Sequence, residues 1–163
     1  MKFIVHLLKG IKRKFRHKKP QWDYSVSGIK NPQYTNSIYR TVQSLDLWVA
    51  CLKDICSVIY DCRNTYGEKS WYRSGYGEDY PHDMGKVRKI VKNWDNCIKL
   101  TPVVLTYNGY NNLLVYDGNH RFSTCLLFYK NQKKKIPFLI DSKNRAWVKR
   151  NIPSCKLIKI ILK

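Results

Sequence analysis

The residues best suited to chemistry form one pentapeptide, Asp117-Gly118-Asn119-His120-Arg121, which joins a predicted strand to a predicted helix. Glycine lets the backbone turn sharply and approach a ligand closely. A helix that begins at Asn119 or His120 presents unpaired N–H groups and the positive end of its dipole to an anion. His120 and Arg121 add side-chain donors, and an arginine can hold two phosphate oxygens at once. The pentapeptide therefore predicts a phosphate-binding site.

Asp117 could act in three ways in such a site. Its carboxylate could bind a metal ion such as Mg²⁺, orient His120, or cap the helix. A plainer interpretation stays open beside these, because short motifs have many chance matches. In that interpretation the pentapeptide is an ordinary Asp-Gly turn, Asp117 only caps the helix, and the side chains of His120 and Arg121 face solvent.

The hydrophobic pattern predicts the elements that must position the pentapeptide. They are, in chain order, a strand over 102–107 that begins with proline, an Asn108-Gly109 hairpin turn, a strand over 113–116, a helix over 122–129 and a strand over 136–140. Each lies within a few residues of the next. The pentapeptide therefore follows a hairpin and opens a helix.

The rest of the chain supplies further elements. Apolar residues spaced by three and four predict helices over 42–62 and 87–94, the second entered near Gly85. Residues 143–150 fit one or two helical turns, and residues 155–162 fit a last strand. Helices and strands mix along the chain without an internal repeat, which predicts an α+β (mixed α/β) fold.

The charge of the chain is extreme and unevenly distributed. The 163 residues carry a formal net charge of +20, and residues 1–20 hold eight Lys or Arg and no acid. Residues 130–163 hold eleven basic residues and one acid, whereas residues 21–129 are nearly balanced. Basic ends of this kind indicate an anionic partner, either nucleic acid or a membrane surface, although a charged stretch can also be a solvated face.

We expect residues 1–40 to form a basic amphipathic helix over 1–19 and a connecting arm, followed by a domain over 41–163. The helix could pack on the domain, lie along DNA or rest on an anionic membrane. It lacks the small-residue cleavage site of a signal peptide. The segment 63–84 has no hydrophobic period, and we expect either a mobile lid or a packed irregular connection.

Composition excludes two classes of protein. An apolar fraction of 44% with 13% aromatic residues is incompatible with wholesale disorder. No run of eighteen apolar residues occurs, which excludes a membrane-spanning helix. The six cysteines form no C-x-x-C pair. Without a signal peptide they indicate reduced thiols in a cytoplasmic protein.

The stretch 86–140 resembles the ParB/sulfiredoxin superfamily. The matching features are a short helix (V-R-K-I-V-K-N-W), a Pro-Val strand with a hairpin (T-P-V-V-L-T-Y-N-G), the D-G-N-H-R box at a helix start, and an I-P-F-L-I strand. The resemblance implies a small mixed sheet flanked by helices. It also implies that Gly118, Asn119, His120 and Arg121 bind the phosphates of ATP, ADP or CTP, with Asp117 assisting Mg²⁺.

Two departures narrow what the resemblance implies. Sulfiredoxins carry a reactive cysteine immediately before the histidine of this box, whereas this chain has Asn119 there, so we do not expect sulfinic acid repair. Partition proteins carry a helix-turn-helix domain and a dimerisation domain after the nucleotide fold. The chain past the box has no room for either, and we expect a free-standing domain.

Three functions remain open. The first is a nucleotide-dependent enzyme, either a kinase or a hydrolase, with Asp117 and His120 in the active site. For kinase chemistry Glu78, next to Gly75 and Gly77, is our candidate general base, although it could equally be a solvated loop acid. The second is a DNA-binding nuclease that grips the backbone through residues 1–19 and 130–163. The third is a non-catalytic interaction or inhibitor protein from a mobile element.

Overall fold

The computed structural model of the chain describes residues 20–26, 44–59, 81–128 and 133–162. These residues form five strands and four α-helices, which confirms the α+β fold. In chain order they are β1 (Ser44–Cys51), α1 (Leu52–Val58), α2 (Pro81–Asp95), β2 (Val103–Tyr107), β3 (Leu113–Asp117), α3 (Asn119–Phe128), β4 (Lys135–Asp141), α4 (Arg145–Asn151) and β5 (Lys156–Leu162). A short 3-10 helix, Ser142–Asn144, leads into α4.

The five strands form one mixed sheet in the order β3-β2-β4-β1-β5. The pairs β1–β4, β1–β5 and β2–β3 are antiparallel, and β2 runs parallel to β4. A parallel pair needs a crossover connection, and here β3 and α3 lie between β2 and β4 in the chain. The pentapeptide therefore lies within the crossover connection between the parallel strands β2 and β4.

The core lies on both faces of the sheet. On one face Trp48, Phe138 and Phe122 are fully buried in the main apolar cluster. On the other face a smaller cluster includes Leu47 and Leu139, also fully buried. Alternate residues of a strand point to opposite faces, which is why neighbours in β1 and β4 belong to different clusters. Burying one side chain of this size contributes about 1.5–3 kcal/mol to the free energy of folding.

The predicted helix over 42–62 is wrong in its first half. Residues 44–51 form the strand β1, and helical structure begins only at Leu52. The segment from Leu45 to Ala50 is apolar in almost every position because β1 lies between β4 and β5 and is covered on both faces. A strand buried on both faces loses its alternation, so its pattern cannot be distinguished from that of a buried helix. Ser44, at the start of β1, pairs with Leu162.

The other described elements match their predictions closely. The Asn108-Gly109 hairpin, the helix after the pentapeptide, and the strands β4 and β5 are confirmed. The helical turns expected over 143–150 are α4. Helix α2 begins at Pro81, earlier than the predicted entry near Gly85. Proline is well placed there, because the N–H groups of the first helical turn have no partner within the helix and the missing N–H group of proline therefore breaks no hydrogen bond.

The segment 20–26 packs on the domain. Trp22 is 7% exposed and bridges to Leu100, whose N–H group donates to the Gln21 carbonyl oxygen at 2.9 Å. The Asp23 N–H group donates in turn to the Leu100 carbonyl oxygen at 2.8 Å. The first residues of the expected connecting arm are therefore part of the core. The predicted helix over 1–19 lies outside the described residues.

Most of the predicted loop over 63–84, including Glu78, also lies outside the described residues. Within the part of the chain that the structure describes, no helix has the length and apolarity needed to cross a membrane. Cys56 and Cys125 are buried as free thiols.

Candidate phosphate-binding cleft

The junction of β3 and α3 has the tight geometry that the pentapeptide predicts. Gly118 has φ +89°, in the left-handed region that favours glycine. Its carbonyl oxygen accepts the N–H of Phe122 at 2.8 Å, so the α3 hydrogen-bond pattern starts immediately after the turn. Inside α3 the Thr124 hydroxyl donates to the His120 carbonyl oxygen at 2.6 Å. The strand therefore passes into the helix with one glycine between them.

Arg121 folds back over that glycine. Its Nη2 atom donates to Oδ2 of Asp117 at 3.1 Å and lies 3.5 Å from the Pro102 carbonyl oxygen. A Cβ atom added to Gly118 would lie 2.8 Å from the same Nη2 atom. The Arg121 side chain is 17% exposed, and its buried Nε atom has no hydrogen-bond partner among the described residues. The guanidinium is thus fixed at the helix start, and its Nε–H donor is not used by the described residues.

These residues line a cleft of about 420 Å³. Its described lining comes from the pentapeptide, from α2 and from the residues that lead into β2: Lys86, Lys89, Ile90, Asn93, Lys99, Leu100, Thr101, Asp117, Gly118, Asn119, His120 and Arg121. Three lysines and one arginine face a single carboxylate, Asp117, within this lining. The cleft is therefore strongly positive, and it opens on the start of α3.

Helix α2 supplies the basic wall because it is amphipathic. Val87, Val91 and Trp94 are buried against the domain. Lys86 and Lys89 are exposed on the side that lines the cleft, followed by the half-buried Asn93. These residues are three and four positions apart, so they follow one another along one face of the helix. The helix predicted over 87–94 rested on its apolar side alone, and the spacing of Lys86, Lys89 and Asn93 indicates the other side.

The third wall comes from the approach to β2. Lys99 and Thr101 flank Leu100, which is 5% exposed and paired on both backbone groups with the segment 20–26. The bridge to Trp22 therefore fixes the backbone beside Lys99. No feature of the sequence indicated this wall, because it depends on a contact between segments far apart in the chain.

All five residues of the pentapeptide line the cleft. Arg121 is largely buried and paired with Asp117, in contrast to the plainer interpretation in which it faces solvent. Glu78 lies outside the described residues, so its position relative to the cleft is not described. Among the described residues, no three His, Cys, Asp or Glu side chains group into a metal site.

Comparisons with protein-family models, with curated proteins and with solved structures find no match for this chain. The resemblance of residues 86–140 to the ParB/sulfiredoxin superfamily therefore stays a prediction. The functional conclusion depends on the cleft itself.

Proposed function

We propose that the chain is a nucleotide-binding protein whose basic cleft holds the phosphate groups of ATP, ADP or CTP. One observation carries this proposal: cationic side chains from α2, from the approach to β2 and from α3 line the same cleft as the glycine turn that starts α3. Helix starts of this kind bind anions through free N–H groups and the helix dipole. A cleft of about 420 Å³ lies within the size range of small-ligand sites.

The charges in the cleft favour more than one phosphate group. Lys86 and Lys89 lie on α2, whereas Arg121 lies on α3, so cations face a ligand from separate elements. Four cations and one carboxylate within the described lining leave more positive charge than a single phosphate group, held either by Arg121 or by the lysines of α2, would balance. A di- or triphosphate chain could meet both, and each charge-assisted hydrogen bond would add about 1.5–3 kcal/mol to binding.

One described residue of the cleft, Asp117, could be a ligand of Mg²⁺ in this proposal. Asp117 is the carboxylate within the described lining, and it is paired with Arg121. Mg²⁺ that is bound to nucleotide phosphates usually needs only one or two protein carboxylates. The described residues would therefore contribute a single ligand and leave the remaining positions to phosphate and water. Titrations in Mg²⁺ and in EDTA measure that contribution.

We propose phosphoryl transfer or hydrolysis as the reaction, with His120 and Asp117 beside the phosphates. His120 would donate to a phosphate oxygen, and Asp117 would hold Arg121 in place. Glu78 stays a candidate general base for the transfer. Such a protein belongs in the cytoplasm, where nucleotides are plentiful and where the thiols of Cys56 and Cys125 remain reduced.

Thermal unfolding with a nucleotide panel tests the binding proposal. A ligand at 100 times its Kd raises the free energy of unfolding by about 2.7 kcal/mol, which is about 5–10 °C in Tm for a chain of this size. Arg121→Ala should remove most of that shift, and Lys89→Ala a smaller part. Lys92→Ala is the matched control, because Lys92 is an exposed lysine of α2 outside the cleft lining.

Product formation tests the reaction separately from binding. Phosphorus NMR of ATP incubated with the protein reports hydrolysis directly, and added hydroxyl compounds report transfer. His120→Ala should abolish turnover while nucleotide still raises the Tm. Binding without any product for ATP, ADP or CTP would favour the non-catalytic alternative over the enzyme.

DNA binding through the basic ends is the second candidate. It is supported by exposed cations within residues 130–163: Lys133, Lys134, Lys135, Lys149 and Arg150. Each phosphate contact to duplex DNA changes the slope of log K against log salt by about −0.9. A steep slope that is lost when Lys133, Lys134 and Lys135 become alanine supports this candidate, and a flat slope for the wild-type protein excludes it.

A further inference from the structure

The hairpin turn carries the most exposed large hydrophobic side chain of the described residues. Tyr110 is 84% exposed, whereas the exposed tyrosine of the segment 20–26, Tyr24, is 43% exposed. The turn lies at the far end of β2 and β3 from Asp117, so this ring is separate from the basic cleft. An exposed aromatic ring on a turn indicates a binding surface when the backbone that carries the ring is held in place.

Two asparagine side chains hold the backbone of Tyr110 in place. Oδ1 of Asn108 accepts the Tyr110 N–H at 3.0 Å, and Nδ2 of Asn112 donates to the Tyr110 carbonyl oxygen at 2.9 Å. Asn111 has φ +60°, a conformation that side-chain hydrogen bonding makes accessible to asparagine. Both backbone groups of Tyr110 are thus held by the turn, while its ring extends into solvent.

Asn111 joins the turn to a second aromatic group. Its Oδ1 atom accepts Nε1–H of Trp147 at 2.7 Å, and its N–H donates to the Tyr107 hydroxyl at 3.3 Å. The rings of Tyr107 and Trp147 lie 5.3 Å apart at 59°, a tilted arrangement typical of aromatic pairs. Helix α4 is therefore attached to the hairpin through the residue that follows Tyr110.

The two stretches of sequence that carry these aromatic residues are basic or uncharged. Residues 142–163 contain no acidic residue, and residues 101–116 contain no charged residue. On α4 the side chains of Lys149 and Arg150 are exposed. Arg150 follows Trp147 by three positions, which places the two on neighbouring parts of the same helix face.

We propose that Tyr110, Asn111, Trp147 and Arg150 form a binding surface, named here the turn surface, for a single strand of nucleic acid. An unpaired base would stack on the Tyr110 ring, and Arg150 would contact an adjacent phosphate. Aromatic stacking beside cationic side chains is the usual way in which proteins hold single strands without reading sequence. This surface is separate from the cleft, so an experiment can refute the proposal for one of them without refuting the proposal for the other.

The chemistry of the turn favours a single strand over two other anionic partners. Paired bases in a duplex do not expose their faces to a protruding tyrosine, so stacking requires unpaired bases. A membrane-binding surface buries Leu, Phe or Trp side chains in lipid. The turn instead surrounds Tyr110 with the polar amides of Asn108, Asn111 and Asn112.

Fluorescence anisotropy of labelled oligothymidylate and oligouridylate tests the turn surface. Tyr110→Ala should weaken binding by about tenfold, in line with the loss of one stacked base, and Tyr110→Phe should bind like wild type. Tyr24→Ala is the matched control for removing an exposed tyrosine and should have no effect. Arg150→Ala should reduce the salt slope by about 0.7, as expected for one single-strand phosphate contact. Binding that is weakened by Tyr110→Ala but not by Tyr24→Ala supports the proposal, and the oligomer that the wild-type protein binds more tightly identifies the strand as DNA or RNA.

Two outcomes would overturn the proposal. In the first, Tyr110→Ala, Tyr110→Phe and Tyr24→Ala bind both oligomers as wild type does. In the second, neither oligomer binds, whether or not vesicles of phosphatidylserine and phosphatidylcholine bind in a Tyr110-dependent manner. Circular dichroism and Tm of each variant verify the fold, and a side chain as exposed as Tyr110 is expected to leave both unchanged.

Discussion

Replacing glycines one at a time tests how the start of α3 is built. In Gly118→Ala the new methyl group meets two obstacles: a backbone φ of +89° and the Arg121 guanidinium, whose Nη2 atom is 2.8 Å from the added carbon. The backbone strain costs about 1–2 kcal/mol in the free energy of unfolding. Moving Arg121 away from Asp117 adds about 0–1 kcal/mol for the lost ion pair, because the Asp117 side chain is 35% exposed to solvent.

Two other glycines separate these effects. Gly109 has a similar φ of +83° with nothing within 4 Å of an added carbon, so Gly109→Ala should show the backbone strain alone. Gly85 lies inside α2, also with open space around it, so Gly85→Ala should raise the free energy of unfolding by about 0.5–1 kcal/mol. Urea unfolding of the three variants measures all three values.

The effect on ligand binding distinguishes Gly118 from Gly109. Displacing the guanidinium in Gly118→Ala should weaken nucleotide binding about tenfold or more, as expected when a charge-assisted hydrogen bond of about 1.5–3 kcal/mol is lost. Gly109→Ala leaves the cleft intact and should bind normally. Equal binding by the two variants would show that Arg121 does not depend on the missing Cβ of residue 118, and the reasoning about this turn would be wrong.

Three further results are expected. Burial would raise the pKa of Asp46, but the hydrogen bonds from Arg145 hold that pKa below its ordinary value of 3.8. The ionised carboxylate therefore stabilises the fold above about pH 4, and this contribution is lost as the pH falls further. Asp46→Asn should make the stability measured by acid unfolding depend less on pH in this range. Cys97 is exposed, whereas burial raises the pKa of the Cys125 thiol, so mass spectrometry after brief iodoacetamide treatment should find the label on the first and not on the second. Trp22→Ala should lower the free energy of unfolding by about 3–5 kcal/mol. It should also weaken nucleotide binding, because it removes the support of the cleft wall beside Lys99. Unchanged nucleotide binding by the folded variant would show that Trp22 does not support this wall.

The local part of the site was predictable from the sequence. Asn108-Gly109 defines a hairpin because both the turn type and the pattern of its strands are local properties. The step from Asp117 through Gly118 into a helix depends on neighbouring residues alone. These features need no knowledge of distant contacts, and the structure reproduces them.

The features that the sequence did not predict depend on contacts between distant parts of the chain. Residues 44–51 form a strand because β4 and β5 cover both of its edges, which no local pattern reveals. Lys99 joins the cleft because Trp22 pairs with Leu100 across a large sequence separation. The basic side of α2 was visible as Lys86 and Lys89, yet only the packing of its apolar side determines where those lysines lie.

The most direct test of the account is the location of bound phosphate. Backbone amide spectra by NMR, recorded during titration with ATP, ADP and CTP, report each residue of this 19.4 kDa chain separately. We predict saturable shifts that are largest for the amides of 118–121, with smaller shifts on α2 and at Lys99. Shifts centred on the hairpin turn 108–112, or no saturable shift with any of the three nucleotides, would contradict phosphate binding in the cleft.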